Sequence, residues 1–399
     1  MILRLPAALI CAVLVAVAPA GCSVGGGDEA GGADELDVQV SLPLHGPAGR
    51  YGRAIRDGAK LALAEEPPGG GADSPRRLGL RFGDDTAGGR WSAAATAENA
   101  RRATSDSAAI AYVGELESGA TRTSLPITNE AAMVQVSPAS TAVDLVAPFP
   151  GSDEVPELVQ PTGERTFGRV IPDDEVQAAA GAAWAEELGA RNALVVSDRS
   201  EFGDTVADEF AEEAEALGIS VETTGASGAT RVVRSNPDLV YFGGTPDGAP
   251  PVLDRVARLS DATIMGTDAL LLDRTFLRRA RSFEGPLRLT SAAQDPSQLP
   301  GPAGKRFVDD YRQHYGRSPG RYAAYGYEAM ALVLDLVKRA GDEAGNRGAI
   351  VDELFSTGDR ESVLGTYSID DVGNTTLDRI AGYRVRGGRP VFAVALRAP

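Results

Sequence analysis

The chain has 399 residues and a net charge of −17, from 56 acidic and 39 basic side chains. An acidic surface of this kind repels phosphate, which excludes nucleic acid as a partner. The only cysteines are Cys11 and Cys22, so the chain beyond Cys22 contains no disulfide. Its length exceeds what one hydrophobic core usually serves, and two lobes are therefore expected.

The first residues have the pattern of an export signal. One basic residue, Arg4, precedes the apolar run Leu5–Ala18, and Pro19-Ala20-Gly21-Cys22 follows. A cysteine directly after Ala-Gly is typical of a bacterial lipoprotein signal, in which the thiol is lipidated and becomes the new N-terminus. We therefore predict a signal peptide over residues 1–21, and a lipidated Cys22 with a Gly- and Asp-rich flexible tether over 22–36. Ordinary secretion with cleavage elsewhere is the alternative.

From Val38 onward, short apolar runs alternate with amphipathic segments. Helices are predicted over 174–188 and 204–217, the second with Val206, Phe210, Ala214 and Leu217 on one stripe and acids opposite. The predicted strands are Val38–Leu42, Leu78–Phe82, Ala109–Val113, Met133–Val136, Ala193–Ser197, Ile219–Glu222, Leu239–Phe242 and Thr263–Met265. This alternation predicts an α/β fold of mainly parallel sheets flanked by helices, with the ligand site at the carboxyl ends of the strands.

The loops that follow the strands carry the candidate site. Ser118 begins a predicted helix after the third strand, where free backbone N–H groups favour an anion. The Ser137–Thr141 turn after the fourth strand can direct further donors to the same point. The alternatives are that Ser118 only caps its helix and that Ser137-Pro138 only makes a turn.

With these loops in place, the chain resembles the substrate-binding lipoproteins of branched-chain amino-acid ABC importers. The resemblance lies in an ordered set of short motifs at the spacing of that family. They are Leu42-Pro43-Leu44, Tyr51-Gly52, Asp57-Gly58-Ala59, Asp84-Asp85, Gly114–Thr121, Ser137-Pro138, Ile171-Pro172-Asp173-Asp174, Phe202-Gly203, Gly266-Thr267-Asp268 and Tyr322–Ala329. The resemblance implies the type I periplasmic-binding-protein fold, in which two α/β lobes joined by three crossovers close over a ligand.

The resemblance also implies roles for particular residues. Ser118, Ala139 and Thr141 would hold the ligand carboxylate, and Asp268 would hold its ammonium group. Tyr51, placed in a loop, and Phe202 would wall the pocket from opposite lobes, although core packing is the commoner role of aromatic residues. Asp268 has the alternative of capping a helix that begins near Leu271, or of being a surface acid.

Three positions depart from the family pattern. Thr245 stands where the family often has a tyrosine. Glu115 and Glu117 bring negative charge close to the proposed carboxylate site. If either side chain points inward, the ligand is expected to be cationic, amidic or otherwise different from leucine.

The lobes implied by the resemblance are discontinuous in sequence. The N-terminal lobe would comprise residues 37–168 and 293–370, and the C-terminal lobe 169–292 and 371–399. The expected protein is a monomer that is lipid-anchored at the outer face of the bacterial cell membrane. It would capture a small amino acid, branched-chain or similar, by hinge closure and deliver it to ABC permease subunits.

Two other functions are alternatives for a chain of this kind. A ligand-sensing receptor of the same fold, for an amide or a small carboxylate, would signal rather than transport. An enzyme is disfavoured, because His45 and His314 stand far apart and no nucleophile, phosphate-binding or metal-binding motif is present. No cofactor and no metal are expected.

Overall fold

The computed structural model describes residues 35–66, 77–149, 152–282 and 286–398. The predicted signal peptide, Cys22 and most of the predicted tether lie outside the described residues. The first strand begins at Glu35, so the last two residues assigned to the tether, Glu35 and Leu36, belong to the folded body.

The described chain alternates strands and helices throughout. The strands are β1 Glu35–Leu42, β2 Arg77–Asp84, β3 Thr86–Ala87, β4 Arg90–Trp91, β5 Ala109–Val113, β6 Val134–Ser137, β7 Phe167–Arg169, β8 Asn192–Ser197, β9 Ser220–Gly225, β10 Leu239–Gly243, β11 Thr263–Gly266, β12 Leu287–Ser291, β13 Arg360–Ser362, β14 Gly365–Tyr367, β15 Arg379–Arg386 and β16 Arg389–Arg397. The helices are α1 Gly49–Glu65, α2 Ala93–Ser105, α3 Ser118–Glu130, α4 Asp174–Glu187, α5 Glu201–Ala216, α6 Val232–Ser235, α7 Ala249–Leu259, α8 Asp268–Leu272, α9 Arg274–Arg279, α10 Gly301–Tyr315, α11 Ala323–Ala340 and α12 Arg347–Phe355.

Two large sheets organise these elements. The first has the strand order β2-β1-β5-β6-β7, and all its strands are parallel. The second has the order β16-β15-β12-β11-β10-β8-β9, parallel from β9 to β12 and antiparallel at β15 and β16. Every residue of β5 and β6 is buried, as expected for strands covered by helices on both faces. The predicted α/β class with mainly parallel sheets is confirmed.

The chain passes between the two sheets three times: after β7, after β12 and before β15. Between the last two crossings, α11 packs against α1 of the first lobe, and α12 packs against β5 and β6. After the last crossing, β15 and β16 complete the second sheet. There α4 packs against β16, and Trp184 lies over Gly382. The exact residues at which the lobes divide stay a prediction.

The contact between α1 and α11 depends on two glycines. A Cβ atom at Gly58 would lie 1.9 Å from the carbonyl oxygen of Ala323, and one at Gly326 would lie 2.2 Å from that of Ile55. Because each glycine faces the backbone of the opposite helix, the two axes approach closely. This contact fixes α1, whose first turn carries Tyr51.

Candidate functional site

The site lies where the carboxyl ends of the two sheets face each other. In the first sheet the strand order reverses between β1 and β5, and in the second between β8 and β10. Loops that leave adjacent strands in opposite directions create a crevice at such points. The candidate residues follow these strands or their neighbours.

Tyr51 connects the two lobes. Its hydroxyl donates to the carbonyl oxygen of Leu272 at 3.0 Å, and the Arg50 guanidinium donates to the same oxygen at 2.9 Å. Tyr51 also meets Tyr322 edge to face, with ring centroids 5.7 Å apart. The prediction that Tyr51 lies in a loop is wrong, because α1 begins at Gly49 and places Tyr51 in its first turn. The helical position is what directs the ring across to α8.

Ser118 and the 137–142 loop are in direct contact. The Ser118 hydroxyl oxygen accepts hydrogen bonds from the backbone N–H groups of Thr141 and Ala142, both at 3.2 Å. Ser118 therefore does not cap its own helix. Glu117 occupies the N-cap position and makes no side-chain capping bond. The Ser118 side chain instead holds the second loop against the N-terminus of α3.

This arrangement determines which backbone N–H groups remain free to bind an anion. The N–H of Ala139 donates to the Ser137 hydroxyl at 3.2 Å, so the amides of Ala139 and Thr141 both have partners within the chain. In α3 the first intrahelical bonds come from Ala120 and Thr121, which donate to the Glu117 carbonyl. The amides of Ser118 and Gly119 precede these bonds and point out of the helix end, where an anion is favoured.

Asp268 faces this region from the other lobe. It is the first residue of α8, after β11, and Thr267 precedes it as the N-cap residue. The alternative that Asp268 caps a helix starting near Leu271 is therefore wrong, and Asp273 caps the next helix, α9. Burial raises the pKa of Asp268 to about 6, opposed by a hydrogen bond from Gln177 and by the charge of Arg321. The carboxylate is thus ionised at neutral pH and half-buried.

Phe202 and Thr245 lie on the same lobe as Asp268. Phe202 is half-buried in the first turn of α5. Thr245 donates to the Asp198 carboxylate twice, from its backbone N–H at 2.7 Å and from its hydroxyl at 2.8 Å. Its polar groups therefore support the loop after β8.

Arg169 is a structural residue of the site that the sequence did not single out. Its side chain is 0% exposed and donates to Asn374 at 2.7 Å and to the carbonyl oxygen of Ala142 at 2.8 Å. A further donor reaches Asp173 at 3.3 Å. Arg169 lies at the end of β7, where the chain crosses between lobes. Through its bond to Ala142 it holds the 137–142 loop in place.

Asp174, which the sequence placed only in a motif, links the two lobes as well. Its N–H donates to the Thr141 carbonyl at 3.0 Å, and a hydrogen bond from the Thr141 side chain lowers the pKa of its carboxyl. Burial and the charge of Asp268 outweigh that bond and raise the pKa of Asp174 to about 7. The neighbouring motif Pro172-Asp173-Asp174 is the sequence signal that could have identified it.

The burial of Glu209 was not predicted from the sequence. The predicted amphipathic pattern of 204–217 assigned all acids to the solvent face, but Glu209 is only 9% exposed. It lies on the flank of α5 that packs against α4, so the buried stripe is wider than the apolar residues alone indicate. Burial raises the pKa of Glu209 to about 9, and the charge of Asp174 adds to this effect.

The orientations of Glu115 and Glu117 differ. Glu117 is exposed, whereas Glu115 is fully buried and accepts a hydrogen bond from the Tyr112 hydroxyl at 2.6 Å. Burial raises the pKa of Glu115 well above its usual value, and the charge of buried Asp85 adds to it. Glu115 thus points into its own lobe rather than into the crevice.

Within the described residues, no group of three or more His, Cys, Asp or Glu side chains has the geometry of a metal site. None of the helices described is long and apolar enough to cross a membrane. The Asp84-Asp85 pair belongs to the loop framework: Asp84 accepts from the backbone N–H groups of Leu44 at 3.0 Å and of Thr86 at 3.1 Å.

Comparison with known proteins gives a consistent result. The sequence profile of the periplasmic binding protein family matches residues 37–389, so the chain belongs to that family. The family consists of extracytoplasmic binding proteins of transporters. The predicted resemblance and fold are confirmed.

Individual relatives are distant but extend over most of the chain. A Leu/Ile/Val-binding protein homolog from Brucella melitensis is 23% identical over 361 residues, covering 88% of this chain and 90% of that protein. The crystal structure of a leucine-binding protein LivK from Thermotoga maritima superposes with a TM-score of 0.70, at 24% identity over 91% of this chain and 99% of that one. A solute-binding protein from Rhodopseudomonas palustris in complex with benzoate gives 0.66, at 18% identity over 92% and 97%. At these identities the solved structures show a shared fold.

Proposed function

We propose that this chain is an extracytoplasmic substrate-binding protein that captures a small amino acid and delivers it to an ABC importer. It acts without catalysis and as a monomer. The lobes over residues 37–168 with 293–370, and over 169–292 with 371–399, close on the ligand. The related proteins named for leucine, isoleucine and valine make an amino acid the first ligand class to consider.

One observation carries the proposal. The N-terminus of α3 with Ser118 offers hydrogen-bond donors on one lobe, and Asp268 offers a desolvated carboxylate on the other. An α-amino acid carries the complementary pair of charges. A bound zwitterion bridges the lobes and stabilises the closed form, because only in that form does it contact both groups.

The ligand class is tested by thermal shift and calorimetry on the detergent-solubilised full chain with the common amino acids and benzoate. A true ligand at a hundred times its dissociation constant adds about 2.7 kcal/mol of apparent stability. Failure of every amino acid, or a shift with benzoate alone, would contradict the proposal.

The role of Asp268 has its own test. Asp268→Asn is expected to weaken amino-acid binding by roughly 2–5 kcal/mol, since it removes one partner of a desolvated charge pair. The matched control is Asp261→Asn, an exposed acid just before β11 in the same lobe. Equal affinities of the two variants in calorimetry would remove Asp268 from the site.

Lipid anchoring at Cys22 completes the proposal. The signal sequence supports it, and the flexible tether would leave the lobes free to reach a permease. Cys22→Ala is expected to release the protein from the membrane fraction on cell fractionation, because lipid chains supply the membrane affinity. Retention of the variant in that fraction would refute lipidation at this residue.

A further inference from the structure

Beside the proposed ammonium site, the second lobe buries the carboxyl groups of Glu209 and Asp174. Glu209 on α5 is 9% exposed and Asp174 on α4 is 4% exposed. Neither Oε1 nor Oε2 of Glu209 has a hydrogen-bond partner, although both atoms are shielded from solvent. Buried polar groups in native proteins are satisfied with few exceptions, and a carboxyl with two vacant acceptors calls for a donor.

The three carboxyls form a connected series. Asp174 interacts electrostatically with Asp268, and among charged neighbours Glu209 interacts most strongly with Asp174. The buried Tyr241 on β10 interacts with all three, with Glu209 first. The series thus extends from the point proposed for the ligand ammonium toward α5 and β10.

The arginine side chains near these carboxyl groups already have hydrogen-bond partners. Arg169 donates to Asn374, Ala142 and Asp173. Arg321 donates to Tyr383 at 2.5 Å and to the carbonyl oxygen of Ala293 at 3.2 Å. The charges of Asp173, the N-cap residue of α4, and of Glu175 in its first turn add to the rise in the pKa of Glu209. A ligand with an aliphatic side chain would leave both oxygens of Glu209 without a hydrogen-bond donor.

We propose that Glu209 and Asp174 bind a cationic group on the ligand side chain, so that the ligand is a basic amino acid with a terminal ammonium or guanidinium. This inference rests on the proposed function, in which Asp268 binds the α-ammonium. A second cation provides the donors that Glu209 lacks, and its charge lets the Glu209 carboxyl ionise, so that a charge-assisted hydrogen bond forms. Glu115, buried in the other lobe, takes no part.

The test compares ligands that differ only in the distal charge. Calorimetry on the detergent-solubilised full chain measures lysine against norleucine, and ornithine against norvaline. The cationic member of each pair is expected to bind about tenfold or more tightly. Glu209→Gln is expected to abolish that preference, and the control Glu212→Gln, an exposed acid on the same helix, is expected to keep it.

Proton release gives a second readout that needs no variant. Burial keeps Glu209 protonated at neutral pH, so an arriving ammonium displaces its proton. Repeating the titration in buffers of different ionisation enthalpy is expected to show roughly one proton released with lysine and none with norleucine.

Each outcome decides the matter. If norleucine binds as tightly as lysine and no proton is released, this inference is overturned while the proposed function stands. If no amino acid of either kind binds, both fail. A preference for lysine that survives Glu209→Gln would overturn the assignment of the cation to Glu209.

Discussion

Ser118 shows how one hydroxyl joins the two loops of the candidate site. It lies at the N-terminus of α3 but accepts its hydrogen bonds from the loop after β6, so it joins two loops that leave adjacent strands. The loop after β6 is therefore fixed against the N-terminus of α3 by the Ser118 side chain.

Ser118→Ala would leave the amides of Thr141 and Ala142 without their acceptor. The free energy of unfolding is expected to fall by about 1 kcal/mol, because two half-buried N–H donors lose their acceptor, and ligand affinity is expected to fall with it. Urea denaturation and calorimetry measure the two effects. Ser356→Ala, which removes an exposed hydroxyl bonded to Asp352 on α12, is the control and should change neither.

At the scale of elements, the crossing of α1 and α11 is closely constrained. Gly326→Ala is expected to destabilise the protein by about 1–3 kcal/mol, because the new methyl group meets the backbone of Ile55 and the helices must separate. Thermal denaturation followed by circular dichroism measures the loss. Gly348→Ala is the matched control, since its Cβ meets nothing closer than 3.4 Å and alanine favours α12. Equal melting temperatures for the two variants would show that the contact between α1 and α11 tolerates a methyl group at residue 326.

The strands were the part most readily predicted from sequence. Ala109–Val113 matches β5 residue for residue, because a strand buried on both faces is a continuous apolar run. Helix starts were predicted with mixed accuracy. The predicted starts at Ser118 and Asp174 match α3 and α4, whereas Gly49 and Gly52 concealed that α1 begins before Tyr51.

Glu209 shows where sequence reasoning fails within an element. The sequence of α5 alone does not indicate that another helix covers its acidic flank. Glu209 is buried because α4 packs against α5. The loops of the site were predictable for the opposite reason, since parallel topology alone brings strand ends together.

At the scale of the whole molecule, buried acids set the dependence of stability on pH. Burial raises the pKa of Asp85 and Asp174 to about 7 and that of Glu209 to about 9. The folded state therefore binds more protons than the unfolded chain above about pH 4, so stability falls as the pH rises toward 9. Asp84 and Asp198, whose pKa values are lowered by hydrogen bonds, have the opposite effect only in stronger acid.

Calorimetric melting of the ligand-free protein is accordingly expected at a lower temperature at pH 8 than at pH 5.5. Glu209→Gln should reduce this difference, because it removes the group with the highest of these pKa values. A melting temperature that rises between pH 5.5 and pH 8 would contradict the assignment of these acids as buried and protonated.

Strand β16 ties the candidate site to a segment that is distant in sequence. It packs against α4, which carries Asp174. The surroundings of Asp174 therefore form only once β16 has joined the second sheet, and folding of this lobe is expected to be slow because it depends on contacts between segments far apart in the chain.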